Sequence, residues 1–322
     1  MDIFTEVFGF VFQYIDAVAF LILAAAGLSI IFGMMGVINM AHGELMMIGA
    51  YVTAFSMYAG IPAPIAIVLA GAGAGVAGMI LERLIIRHFY KQLLSSLVVT
   101  WGISMMISQL FLITFGPTME SLPTPFSDIK ILIGGDIGFS IVGAEGFLNI
   151  QDTSGRLPKG VQSFGVYRVV MFVVSIFLIT GLWALLRFTE FGTRARATMD
   201  NPTMANALGI STPRIYALTF GLGSALAGIA GGLFALTSSI TPFFGAAFTD
   251  KAFITVVVGG GISAISGLVA SALALGGVQT IFTNVFSVYI GFVGMIGAAF
   301  LILLLMPTGI SGYLAIRKSR SK

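Results

Sequence analysis

The chain has 322 residues, of which 57% are hydrophobic and 9% charged, with a net charge of +3 and a mean hydropathy of +1.04. Soluble domains carry roughly 25% charged residues, so this chain has too little charge to cover a water-exposed surface. It has no cysteine and only two histidines, His42 and His88, which excludes a disulfide framework, a thiolate metal site and a histidine-rich one.

Apolar runs of about 18 residues or more read as membrane-spanning helices, at roughly 1.5 Å of rise per residue across a hydrocarbon core of about 30 Å. In chain order the candidates are 8–32, 45–60, 62–81, 95–116, 168–186, 215–237, 253–283 and 288–306. The first residues, MDIFTE, lack the basic stretch of a cleavable signal, so the first span is expected to be retained. It contains Asp16, expected near an interface. The second run is short, and Gly259, Gly260 and Gly261 interrupt the seventh. That seventh run is either one crossing plus a re-entrant half-helix or two short crossings. The fold expected is an all-α membrane protein, a polytopic helical bundle of about eight to ten transmembrane segments with broken helices.

Between the first two runs the chain reads GVINMAHGE over 36–44. It places an amide, an imidazole and a carboxylate, Asn39, His42 and Glu44, at a glycine-broken turn between apolar segments. Polar groups at a helix break in a membrane are costly and persist where they line a pathway or face other protein. Asn39 is the best pathway candidate, because an amide both donates and accepts. His42 is expected to bond a backbone carbonyl. Glu44 either caps the following helix, favoured by roughly 0.3–1 kcal/mol near an N-terminus, or lines the path.

The same pattern, Gly-x-Ile-polar-x-x-polar-Gly, recurs at 260–267, pairing Asn39 with Ser263 and His42 with Ser266. Glycine-interrupted segments in corresponding places of two halves point to a binding site near the midplane. The expected halves are 8–116 and 168–306, and Asn39 and Ser263 are expected to approach one another. Ser224, Gly228 and Gly232 lie on one helical face, as do Gly71 and Gly75 in an earlier run. Such faces let helix backbones approach closely.

Lysine and arginine set the orientation. Arg83, Arg87 and Lys91, then Arg187, Arg194, Arg196 and Arg214, then Arg317, Lys318, Arg320 and Lys322 hold 11 of the 16 basic residues. All three regions are expected on the cytoplasmic side. The 117–167 loop holds Glu120, Asp128, Asp136, Glu145 and Asp152 against three basic residues. It is expected outside, with some extended structure.

Within the loop at 188–214, Asn201 reads as an N-cap and Pro202 as the first helical residue. A short helix is expected over 203–208, with Gly209 as its C-terminal cap. Met204, Ala205 and Leu208 are spaced to share one face. A capped helix between two spans has the form of a docking element for a soluble partner.

Three blocks carry a family resemblance. They are 27–51 with GVINMAHGE, 192–232 with Arg196-Ala-x-x-x-Asn-Pro-x-Met-Ala-x-x-Leu-Gly-Ile210, and 250–312, which opens near Lys251-Ala-Phe253 and closes near MPTGI at 306–310. In these the chain resembles the permease subunits of bacterial branched-chain amino-acid ABC importers, over nearly its whole length. It departs from the family's glycine run at GGGISAISG, 259–267. The resemblance implies that the 201–210 segment is similar to the family's coupling helix, which contacts the ATPase. It also implies a second homologous permease, two ATP-binding subunits, an external solute-binding protein and a place in the bacterial cytoplasmic membrane, with no cofactor and no nucleic acid. Close relatives move urea or short amides, and Thr100-Trp101-Gly102 looks somewhat like those.

Two other classes remain open on the residues alone. An ion-coupled secondary transporter fits the repeat but does not need the capped helix. An intramembrane enzyme is weak, because no Gly-x-Ser-x-Gly or His-Glu-x-x-His run is present. A Gly-x-x-x-x-Gly-Lys-Ser/Thr run is absent too, so energy for an ATP-driven importer must come from another subunit.

Overall fold

The computed structural model describes residues 3–90, 92–119, 121–133, 139–143, 161–260 and 264–313. Ser263, Lys91, the basic cluster at 317–322 and most acidic residues of the 117–167 loop lie outside them.

The described elements run α1 (Ile3–Met35), α2 (His42–Tyr58), α3 (Ala63–Leu84), α4 (Leu93–Phe115), β1 (Lys130–Ile133), β2 (Phe139–Val142), β3 (Gln162–Gly165), α5 (Val166–Phe188), α6 (Glu190–Asp200), α7 (Pro202–Ala207), α8 (Thr212–Ala235), α9 (Ala246–Gly259), α10 (Ala264–Val285) and α11 (Val288–Leu305). The bundle is helical, as its hydropathy requires. Its one sheet has the order β2-β1-β3, antiparallel, with Lys130 opposite Val142 on one side and Gly165 on the other. This gives the 117–167 loop the extended structure its sequence suggests.

Among the described residues seven helices are long and apolar enough to cross a bilayer: α1, α3, α4, α5, α8, α10 and α11. Helices α2 and α9, of 17 and 14 residues, are shorter. At 1.5 Å per residue they reach about 25 and 21 Å, less than the hydrocarbon core. The long run at 253–283 therefore resolves into two helices that part at Gly260, and the first of them begins earlier than expected, at Ala246.

The connection from α1 to α2 turns back into the bundle. Helix α1 ends at Met35, and Gly36 takes a positive φ of 63°, open to glycine at no steric cost. The His42 ring, six positions on, bonds the Ala24 carbonyl oxygen at 2.9 Å. Ala24 lies 11 residues before the end of α1, about 16 Å back along its axis. Six extended residues span at most about 20 Å, so 36–38 leads back along α1 into a turn at 39–42 that brings the His42 ring to Ala24. Helix α2 then starts halfway through the bundle. Its Glu44 meets Ser108 of α4 and its Tyr51 ring meets Phe115, so α2 runs parallel to α4.

Helix α9 starts in the same place from the other direction. After α8, Ile240 accepts the Met119 N–H and Leu236 accepts the Thr124 hydroxyl, both at the sheet end of the molecule. The chain then descends to Gly245, whose carbonyl occupies the space a side chain on Gly43 would fill. The first turns of α2 and α9 thus abut. Helix α9 leaves toward the opposite end, where Gly260 packs on Thr308 and Gly309.

Packing around this junction is reciprocal. Helix α3 lies along α8, and α10 along α1; α2 touches α8 and α4 as α9 touches α1 and α11; α1 crosses α8 directly. The small-residue stripes make these approaches. Gly71, Gly75 and Gly78 of α3 meet Ile229, Ala225 and Ser224, so α3 and α8 run antiparallel. Helix α2 packs on α8 beside α3, with Gly49 against the Gly228 backbone.

A side chain at Gly49 overlaps the Gly228 carbonyl, so Gly49→Val forces backbones apart, whereas Gly102 faces open space. Overpacking of this kind costs about 1–3 kcal/mol. Gly49→Val is expected to lower the Tm of the detergent-solubilised protein by scanning fluorimetry, and Gly102→Ala to leave it unchanged.

Candidate functional site

The junction of α2 and α9 is a polar island in an apolar bundle. Asn39, His42 and Glu44 are 1%, 0% and 2% exposed. Asn39 Oδ1 accepts from the Ala41 N–H at 3.1 Å, a local turn that launches α2. Its Nδ2 has no partner among the described residues. A carbonyl can only accept, so His42 Nε2 donates to Ala24, and Nδ1 of the neutral ring is left as a free acceptor without a partner. This bears out the expectation that His42 bonds backbone.

Glu44 sits in the first turn of α2, where the helix dipole favours a carboxylate. Ser108 donates to its Oε1 at 3.2 Å, with Ser104 one turn earlier on α4, while Oε2 has no partner among the described residues. Each buried polar group left without a partner costs about 1–3 kcal/mol. Among the described residues three such atoms, one donor and two acceptors, stand within six residues at the start of this short helix. Thr100 braces the turn by accepting the Met40 N–H at 3.0 Å and donating to Ser96 O at 2.8 Å.

Ser263 lies outside the described residues, and Ser266 is exposed in the first turn of α10, beside the crossing of Gly267 and Gly259. The segment that meets the 36–44 turn is Gly245, at the start of α9. The motif at 260–267 resembles the first one in residue type but connects α9 to α10, a different joint.

Arginines mark the end of the bundle opposite the sheet. Glu82, Arg83, Arg87, Tyr90, Pro213 and Arg214 line one groove, where the Tyr90 hydroxyl donates to the buried Glu82 carboxylate. Nearby, Thr189 caps α6, and Arg196 donates to the Leu186 carbonyl.

Helix α7 has the caps its sequence announces. Asn201 Oδ1 accepts from the Met204 N–H at 3.0 Å, Pro202 is the first helical residue, and Gly209 follows the helix with φ 84°. The helix covers 202–207, one residue earlier than expected, with Leu208 as its cap. Met204 and Leu208 are 58% and 74% exposed, four residues apart on one face. Ala205 departs from the expectation: it is 2% exposed, packed against its own chain. Helical spacing allows Ala205 and Met204 to flank Leu208 on one stripe, but here the Ala205 edge of that stripe is covered and the Met204 edge is open.

A residue the sequence reading passed over joins α7 to α8. Asn206 Oδ1 accepts from both the Thr212 hydroxyl at 2.8 Å and the Thr212 N–H at 3.1 Å. The N-terminus of α8 is thus capped from α7, not by a residue of its own. Gly245 and the Ser104–Ser108 pair were passed over too. Their signal lies in tertiary contact and leaves no local pattern.

The chain matches the model of the family described as branched-chain amino acid transport system, permease component, over residues 10–306. It belongs to that family. It is 31% identical over 307 residues to the high-affinity branched-chain amino acid transport system permease protein LivH of Escherichia coli, covering 92% of each chain. The LivH protein of Salmonella typhimurium is 30% identical over the same share, and BraD of Pseudomonas aeruginosa 28%. LivM of Escherichia coli is 28% identical over 79% of this chain and 59% of its own length. No solved structure matches significantly. The chain is a multi-pass permease component, a transport subunit and not an enzyme.

Because Ala205 packs inward, Ala205→Glu buries a charge in the permease itself. It is expected to lower the Tm of the solubilised protein, since an unpaired buried charge costs several kcal/mol. Met204→Glu, at an exposed site, is expected to leave the Tm unchanged in the same measurement.

Proposed function

We propose that this chain is the membrane-spanning subunit of an ATP-driven importer that moves branched-chain amino acids inward across the bacterial cytoplasmic membrane. The observation that carries the reading is the abutting of two short helices at Asn39, His42, Glu44 and Gly245, in a chain of this family. Helix N-termini favour a carboxylate. Asn39 Nδ2 adds a donor, while His42 Nδ1 and Glu44 Oε2 offer acceptors for an ammonium. That set complements an amino-acid zwitterion better than the neutral amide of the urea-type alternative.

The packing supports two inverted halves, α1–α4 and α8–α11, with α5–α7 between them. A weak site at their shared centre opens to each side in turn as the halves rock. Energy reaches the centre from two ATP-binding subunits, which dock on the exposed Met204 and Leu208 of α7; methionine suits an adaptable contact. A second permease and an external solute-binding protein complete the assembly, and the binding protein supplies most of the solute selectivity. The arginine-rich end faces the cytoplasm and the sheet faces outward.

In cells lacking their own branched-chain importers, expression of the full assembly is expected to give ATP-dependent uptake of labelled leucine, isoleucine or valine. Asn39→Leu is expected to cut that uptake at least ~10-fold, the scale of losing one buried polar contact, with membrane insertion and copurification of the partners intact. Uptake of urea without leucine uptake overturns the solute assignment.

Orientation is read separately. The chain has no cysteine, so single cysteines report cleanly. Ser127→Cys, exposed at the sheet end, is expected to react with an impermeant thiol reagent in intact spheroplasts, and Thr203→Cys, exposed on α7, only after lysis.

A further inference from the structure

A second polar cavity, of about 570 Å³, opens between α1, β3, α5, α9 and α10. Its size lies in the roughly 300–1,000 Å³ range of small-molecule sites. Its charged lining is Asp16, Arg168 and Lys251, one negative and two positive. Arg168 holds Asp16 at 3.2 Å, so the acid is already engaged. Lys251 Nζ lies over the Phe20 ring at 4.7 Å and the Phe292 ring at 5.5 Å, and among the described residues no carboxylate pairs with it. A lysine on a short helix within a membrane bundle is costly unless something anionic meets it. Gln279 Oε1, also in the lining, is buried without a partner. The cavity therefore has a net positive charge, one free ammonium, one free acceptor and an aromatic wall.

The cavity also adjoins the central junction. Lys251 is six residues along α9 from Gly245, about 9 Å. Between them stands a ring cluster in which Phe248 packs on Phe20, Phe234 and Phe244 at 5.4, 4.9 and 4.8 Å. Phe20 faces both this cluster and Lys251.

We propose that this cavity is an entry site for the amino-acid solute, in which Lys251 receives the α-carboxylate and Gln279 Oε1 accepts from the α-ammonium, with the aliphatic side chain on Phe20. The site is separate from the one at Asn39 and lies ahead of it on the path, with the phenylalanine cluster between the two. This assignment rests on the solute being an amino acid, as proposed above.

Two measurements test it on the whole assembly in phosphatidylcholine vesicles, which contain no anionic lipid. In the first, uptake of leucine by Lys251→Met is expected to fall about tenfold, the scale of one charge-assisted hydrogen bond, while Lys251→Arg keeps most of it and both variants copurify with their partners. In the second, reductive methylation of Lys251 is followed by mass spectrometry. Leucine is expected to slow it and leucinamide, which lacks the carboxylate, to leave it unaffected. Normal uptake by Lys251→Met, or equal protection by the two compounds, overturns the entry site. If the unmodified assembly takes up no branched-chain amino acid, the solute assignment fails instead. The methylation comparison still decides whether Lys251 receives a carboxylate.

Discussion

Backbone at mid-depth in a bilayer has no water to bond, so it must be satisfied by protein. That requirement governs the arrangement of this molecule. The chain leaves helical geometry inside the bundle between Met35 and His42, and returns to the same place from the sheet end through the 236–245 connection. The first break is enclosed. Thr100 of α4 takes the Met40 N–H, Asn39 takes that of Ala41, and α1 supplies a carbonyl for His42. The two most buried spans, α1 and α8, cross each other beside the break and shield it.

The remaining helices distribute themselves accordingly. In their most apolar windows α1 and α8 are 83% and 78% buried, while α4, α5 and α11 are 17% buried. The latter present Ile113, Phe177 and Phe300 outward, where lipid is a suitable neighbour. The inner helices bring glycine, alanine and serine to their contacts, because backbones can close on one another only where side chains are small. The α3–α8 seam, with Gly71, Gly75 and Gly78 against Ile229, Ala225 and Ser224, is the clearest case.

The amino-acid sequence revealed much of this and concealed a specific part. Hydropathy located the spans, and the small-residue stripes located helix contacts. The Asn201-Pro202 pair and Gly209 bounded α7 to within a residue, because caps are local chemistry. The turn at 36–44 was legible because polar residues are conspicuous against an apolar background. What it meets was not. The chain brings Gly245 there, a glycine with no polar neighbours to mark it. The inward face of Ala205 was hidden for a similar reason. Spacing says which residues share a helix face but not which face turns to the protein. Lys251 drew no attention as a single charge inside a family block, and only the cavity around it separates it from the basic clusters.

The double bond from Thr212 to Asn206 has a mechanical consequence. It makes α7 and the foot of α8 one stiff piece, hinged at neither Gly209 nor Pro213. Helix α8 is itself straight enough to touch α1 at Gly223 and α2 at Gly228 and Gly231. A tilt applied at α7 would thus pass into α8 as through a crank, toward the contacts that α8 makes with α1 and α2.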